Sequence, residues 1–308
     1  MNAPFPFFGG KRTIAPEVWK RFGNVKHYIE PFCGSCAILL AAKHPASLEV
    51  IGDMNGFIAN FWRAVVNQSE QVAHWADYPV SHVDMGARHV WLMTQRDSLQ
   101  ERLQDCDWPG DAKAAGYWLY GQCCWIGSGW CEKEVPGAKI PHVSDAGMGI
   151  QAIGQIPHVS NAGMGEEPHF WTSGGRAAYV MLGAIAARME RVRVVHGSWN
   201  RCLNSHYGGT NTAVFLDPPY DGYEALYGTE RPALEAAAWA REHPELKVAL
   251  CGHRGDYEMP GWTTLDWERS SNSYAGTGTK AEECIWFSPA CLRPKKLQPS
   301  LFEETLES

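Results

Sequence analysis

Ala213-Val214-Phe215-Leu216-Asp217-Pro218-Pro219-Tyr220 is an apolar run stopped by two prolines. Four consecutive apolar residues read as a short buried strand. Proline has no backbone N–H to give to a ladder, so the strand ends at Leu216. That end carries a carboxylate, two rigid residues with acceptor carbonyls and an aromatic ring. In open α/β sheets, ligands bind beyond the carboxyl ends of parallel strands. Taken alone, the stretch is equally a strand with a proline turn and a capping Asp217. The surrounding chain decides between the two.

The chain has 308 residues, enough for one large domain or a core domain carrying a sizeable insertion. Hydrophobic residues make up 45% and charged residues 20%, as in an ordinary globular protein. No apolar run approaches a membrane span and no signal peptide precedes Phe7, so the reading is a cytoplasmic protein without a membrane partner. Ten irregularly spaced cysteines in a chain this long fit a reducing compartment better than a disulfide framework. A net charge of −7 and a pI near 5.9 argue against a broad nucleic-acid-coating surface. They leave room for a local basic groove. Residues 1–30 carry Lys11, Arg12, Lys20, Arg21 and Lys26 against Glu17 and Glu30, whereas the tail beyond Pro299 is acidic.

Val25–Phe32, Cys33-Gly34-Ser35-Cys36 and Ala37–Ala42 read as strand, tight turn and helix, the first βα unit of a nucleotide-binding sheet. Gly34 lets the turn run close to a bound nucleoside, and Ser35 is a candidate helix cap. Leu48–Asp53 reads as the second strand, ending in an acid placed to accept hydrogen bonds from ribose hydroxyls. A complete GxGxxG is missing, which disfavours a dinucleotide. The plainer reading of Asp53 is a cap for a helix over Asn55–Val66. Cys33 and Cys36 form a CxxC, but no second ligand pair is spaced for zinc, and both read as small turn-packing residues.

Phe7-Phe8-Gly9-Gly10-Lys11-Arg12 places a cation beside two glycines, without the spacing of a phosphate-cradling P-loop. Judged alone it reads as an N-terminal turn with a solvated lysine. Helical periodicity runs over Asp84–Leu103, Ala112–Cys124 and Ser173–Met189. Between the last two, Trp125–Trp130 is turn-rich and aromatic, and the decapeptide at 140–149 recurs at 156–165. Two copies are too few for a solenoid and read as an excursion loop. Arg191–Val195 is a further strand followed by Ser198 and Trp199. Pro232–Glu242 is a helix, Lys247–Leu250 a strand, Arg269–Lys280 a polar loop and Glu282–Phe287 a closing strand.

In this order, Phe-x-Gly-Gly-Lys (7–11), Glu-Pro-Phe-x-Gly (30–34) with Asp53, a long middle segment and Asp-Pro-Pro-Tyr (217–220) resemble the Dam-type family of adenine-N6 DNA methyltransferases. The similarity is to the subgroup whose target-recognition insertion precedes Asp-Pro-Pro-Tyr. It spans roughly residues 6–288, and Arg269–Lys280 is similar to the family's Arg-Ser-x-Ser loop. The resemblance implies an α/β fold: a Rossmann-like methyltransferase sheet, mostly parallel with one antiparallel strand near its edge, and a mainly helical insertion. Residues 1–80 and 190–290 would form the catalytic domain, 81–189 the insertion and 291–308 a tail.

The resemblance further implies S-adenosylmethionine as cofactor and double-stranded DNA as partner, with no metal and a monomeric chain. Phe7, Gly10, Lys11, Pro31, Phe32, Gly34, Asp53, Ser198, Trp199 and Asp217 would surround the cofactor. Lys11, Trp125, Ser128, Arg269, Ser271, Asn272 and Lys280 would face DNA. Trp125–Trp130 departs from the family's recognition hairpin, and Ser198 stands where the family has an acid. A bacterial or phage restriction–modification setting is implied too, with no target sequence fixed. Adenine's amino lone pair is delocalised into its ring. Asp217 and the Pro218 carbonyl would accept the two amino hydrogens and stabilise charge developing on nitrogen. Tyr220 would stack on a base flipped from the duplex, a contact worth about 1–3 kcal/mol. Rival readings keep the fold but act on cytosine N4 or RNA, or bind DNA without catalysis.

Overall fold

In the computed structural model, residues 1–5, 11–78, 81–124, 130–131, 177–203, 211–219, 232–267 and 283–293 are described. The strands are β1 (His27–Glu30), β2 (Leu48–Asp53), β3 (Val192–His196), β4 (Thr212–Leu216), β5 (Lys247–His253), β6 (Thr263–Trp267) and β7 (Glu283–Phe287). They form one sheet in the order β3-β2-β1-β4-β5-β7-β6. The first five in that order are mutually parallel, and β7 runs antiparallel to both β5 and β6. The apolar run 213–216 is thus a central parallel strand between β1 and β5. The expected single antiparallel strand is β7, one position in from the edge.

The helices are α1 (Ala15–Phe22), α2 (Ala37–Leu40), α3 (Gly56–Ala76), α4 (His82–Arg102), α5 (Ala112–Cys124), α6 (Ala177–Met189) and α7 (Pro232–Glu242), with a 3₁₀ turn, η1, at Trp199–Cys202. Strand residues alternate strictly between two cores, as a period of two demands. Tyr28, Ile51, Phe215, Cys251, Ile285 and Phe287 join the core built with α1 to α6. Ile29, Val50, Leu216, Leu250, Cys284 and Trp286 join the opposite core with α7 and η1.

The helical layer is heavier than the periodicity suggested. α3 runs ten residues past Val66, through a non-helical Gln68 (φ −146°, ψ 42°) whose side-chain amide donates to the Gly110 carbonyl at 2.9 Å. α6 is tied to the sheet by Arg188, which grips buried Glu49 of β2 with both guanidinium nitrogens at 2.6 and 2.7 Å. Two elements have no counterpart in the sequence reading. α1 starts with proline in its first turn and buries Ala15, Val18 and Phe22. β6 is a short, mostly polar strand that, among the described residues, pairs with β7 alone. Ser35 does not cap α2: Cys36 holds that position at φ 53° with no side-chain cap. Ser173 and the duplicated decapeptides lie outside the described residues.

α5 lies so close to α3 that only glycine fits at residue 116. A methyl group there would sit 2.7 Å from the Val72 carbonyl oxygen and 3.0 Å from the Ala76 nitrogen. Gly116→Ala is expected to cost about 1–3 kcal/mol of stability through overpacking. Thermal unfolding would show this as a lowered Tm, and an unchanged Tm would mean that the two helices separate freely.

Candidate active site at the strand ends

The sheet order reverses between β1 and β4, the crevice in which open α/β sheets hold ligands. Four acids stand at one edge of the sheet, at the ends of β2, β1 and β4 and the start of β7, all on the side of the α1–α6 core. Asp53 follows Ile51 by two residues, Glu30 follows Tyr28, Asp217 follows Phe215, and Glu283 precedes Ile285. Equal parity along each strand brings them to one face.

Asp53 is buried at the end of β2. Its Oδ2 accepts from the Gly34 N–H at 3.1 Å and its Oδ1 from the Asn55 N–H at 2.9 Å. Burial raises its carboxyl to about 6, against those bonds, which favour the charged form. The helix cap itself is Asn55, whose Oδ1 accepts from the Phe57 N–H at 2.9 Å, so Asp53 is not consumed as a cap. An ionised carboxylate has about four acceptor positions, which leaves Asp53 capacity for further donors.

The turn 33–36 is closed by the Cys36 N–H donating to the Cys33 carbonyl at 2.7 Å. Gly34 takes φ 43°, a left-handed conformation that glycine adopts without strain. Its carbonyl accepts from the indole N–H of Trp62 on α3 at 2.9 Å. One residue thus ties the turn to both β2 and α3. The two turn cysteines are buried thiols raised by desolvation, Cys33 well above its ordinary value and Cys36 to about 11. They are packing groups, without the thiolate character of a redox pair. Pro31 is buried beside them, and Phe32 stacks on Trp199 with ring centroids 5.9 Å apart. Ser198 precedes η1 and makes no side-chain cap.

Lys11 is the cation of the site, and it is not solvated. Its side chain is 4% exposed, and Nζ lies 2.9 Å from Asp217 Oδ1. Burial lowers its pKa, but the charge and hydrogen bond of Asp217, with the charge of Glu283, more than offset this, so it sits above the ordinary lysine value. The isolated reading of residues 7–12 missed this because the partner is supplied by β4, far along the chain. Cys251 on β5 hydrogen-bonds to Asp217, and burial holds its thiol well above the usual range. Cys251, Glu283 and Glu30 were also missed. An apolar strand cysteine carries no sequence signal, whereas the parity of Glu30 and Glu283 was available in the sequence. Pro218 is buried directly after Asp217. Tyr220, Phe7, Gly10, Trp125, Ser128, Arg269, Ser271, Asn272 and Lys280 lie outside the described residues.

A parallel sheet with a polar, partly buried cluster at its topological switch point has the layout of a small-molecule-binding α/β enzyme. The family model of D12 class N6 adenine-specific DNA methyltransferases matches residues 7–86. Over that stretch, about a quarter of the chain, it bears out the resemblance to adenine-specific DNA methyltransferases drawn from the sequence. The matched stretch contains Lys11, the 30–34 turn and Asp53, and ends before β3. No curated protein matches the chain significantly. Among the described residues, no helix is long and apolar enough to cross a membrane.

Glu30 gives this cluster a measurable pH dependence. The Tyr28 hydroxyl and the Leu39 N–H both donate to its Oε2, at 3.0 and 3.2 Å, yet burial raises the carboxyl to about 8. The folded state therefore holds a proton that the unfolded chain releases near its ordinary value of 4.5. Stability from this group is full below that value and is lost as pH rises toward 8. Glu30→Gln keeps the acceptor oxygen and cannot ionise. It is expected to flatten the fall in Tm between those limits while changing Tm little at acid pH. An unaltered slope would assign the pH dependence elsewhere.

Proposed function

We propose that the chain is a site-specific methyltransferase that moves a methyl group from S-adenosylmethionine to the N6 amino group of adenine flipped out of duplex DNA. The observation that carries this reading is the buried Lys11–Asp217 pair at the end of β4, beside the β1/β4 reversal that holds Glu30 and Gly34. It supports a Rossmann-like methyltransferase architecture. In it, residues 1–80 and 190–290 form the catalytic domain and 81–189 the target-recognition insertion.

The described residues fit the cofactor. Asp53 retains acceptor capacity for ribose hydroxyls, and Gly34 presents backbone with no side chain in the way. The carboxylates at the strand ends suit a positively charged sulfonium. Bound there, S-adenosylmethionine would supply an electrophilic methyl group. Pro31, Phe32, Ser198 and Trp199 would flank it, with Phe7 and Gly10 from the opening motif.

The chain's own work would be to orient and polarise the amine. The Lys11 ammonium fixes one Asp217 oxygen and leaves the carboxylate as an acceptor. With the Pro218 carbonyl it would take both amino hydrogens, aiming the nitrogen lone pair away from the ring. Tyr220 would stack on the flipped base. Correct orientation of two reactants contributes about 7–11 kcal/mol to such reactions, so the rigidity of this corner bears on rate directly. Trp125, Ser128, Arg269, Ser271, Asn272 and Lys280 are proposed to meet the DNA.

Sequencing of modified bases in DNA from a methylation-deficient bacterium expressing the protein should reveal N6-methyladenine in one short motif. Modified cytosine would reassign the acceptor. Asp217→Asn keeps the size of the side chain and should lower kcat by about 10²–10³, the loss typical of one transition-state hydrogen-bonding group. Undiminished transfer would exclude the mechanism. Asp53→Ala should weaken S-adenosylmethionine binding in calorimetry more than DNA binding. Equal loss of both would indicate misfolding.

A further inference from the structure

Away from the strand ends, α4 and α5, with Tyr78 just beyond α3, line a half-open cavity of about 380 Å³. Its walls are Tyr78, Trp91 and Tyr117, its cations are Arg88 and Lys113, and Asp84 also lines it. The Arg88 side chain is 6% exposed. Its guanidinium lies 4.5 Å from the rings of Tyr78 and Tyr117 and 4.1 Å from that of Tyr120. Its one hydrogen bond to a described residue is a long one, from Nη1 to the Trp75 carbonyl at 3.5 Å. Lys113 Nζ lies 4.7 Å from the Trp91 ring and 5.2 Å from that of Trp75. Neither cation forms an ion pair with a described carboxylate, Asp84 included.

A buried guanidinium without a counter-charge is destabilising, and aromatic faces offset only part of that cost. Arg188, a partly buried arginine of this fold, has a bidentate carboxylate. Arg88 instead lines a cavity to which a second cation, Lys113, also contributes. A guanidinium fork matches phosphate oxygens in the way it matches a carboxylate. Aromatic walls beside it offer a base or sugar a stacking face. From these features we infer that the cavity is a binding site for a phosphate group carried on a nucleotide. Both α4 and α5 belong to the segment proposed for target recognition, so the expected source is the DNA backbone, a source that rests on the methyltransferase reading. A free nucleotide offers the same chemistry.

The test uses the full-length protein with Lys113→Gln and Arg88→Gln, each checked by circular dichroism and Tm. Lys113 is only half-buried, so its variant remains informative if loss of Arg88 impairs folding. Fluorescence anisotropy with a labelled duplex should show about tenfold weaker binding for a lost charged hydrogen bond. The slope of log affinity against log salt should become shallower by about 0.9. Calorimetry with S-adenosylmethionine should be unchanged. If duplex binding is unaffected but thymidine monophosphate raises the wild-type Tm and not that of Lys113→Gln, the phosphate comes from a free nucleotide. If the variants fold and neither readout moves, the cations merely fill an aromatic cage and the inference is overturned. A protein that binds no DNA would refute the methyltransferase reading, while the thymidine monophosphate arm would still test the cavity.

Discussion

A lysine ammonium buried to 4% exposure is sustained only by the carboxylates around it. Lys11 arrives from the segment before α1, Asp217 from the end of β4, Cys251 from β5 and Glu283 from the start of β7. One ion pair therefore fastens the N-terminal segment across the middle of the sheet. Each partner depends on the others: without Asp217 the cation would be stranded, and without Lys11 the carboxylates would repel. The same dependence sets the orientation of the Asp217 carboxylate, because one of its oxygens is held by the ammonium.

Around this pair the site gains rigidity from the backbone. Gly34 donates to Asp53 and accepts from Trp62, so β2, the first βα turn and α3 are hydrogen-bonded through one residue. Asn55 then starts α3 with a side-chain cap. The turn, the acid and the helix form a single unit. α3 continues from it past Gln68 into the packing with α5, where no side chain larger than hydrogen fits at Gly116.

Much of this was legible in the chain. The four-residue apolar run before Asp217, the Glu-Pro-Phe-x-Gly turn and the acid at Asp53 each appear where strand–turn–helix logic puts them. The parity that aligns Asp53, Glu30, Asp217 and Glu283 follows from counting by twos. The burial of Lys11 was not legible, because a lysine beside two glycines looks solvated until a strand two hundred positions later supplies its counter-charge. Ser35 looked like a cap by type, yet the left-handed Cys36 occupies the cap position, a backbone choice that composition does not encode. β6 escaped notice because an edge strand keeps polar residues and buries little. The Arg88 cavity was hidden because Tyr78, Trp91 and Tyr117 are spread along the chain and meet only where α4 and α5 pack at the end of α3.

The pairing of residue 11 with residue 217 bears on the order in which the protein forms. A nascent chain emerges N-terminus first, and domains fold as their partners become available. The segment carrying Lys11 leaves the ribosome well before β4. It has no counter-charge until β4 is synthesised, and the surroundings of Lys11 are incomplete until β7 follows. Contacts between such distant positions make folding slow. The corner around Lys11 and Asp217 thus closes late, and a polypeptide truncated before β7 would lack part of it however well its helices had assembled.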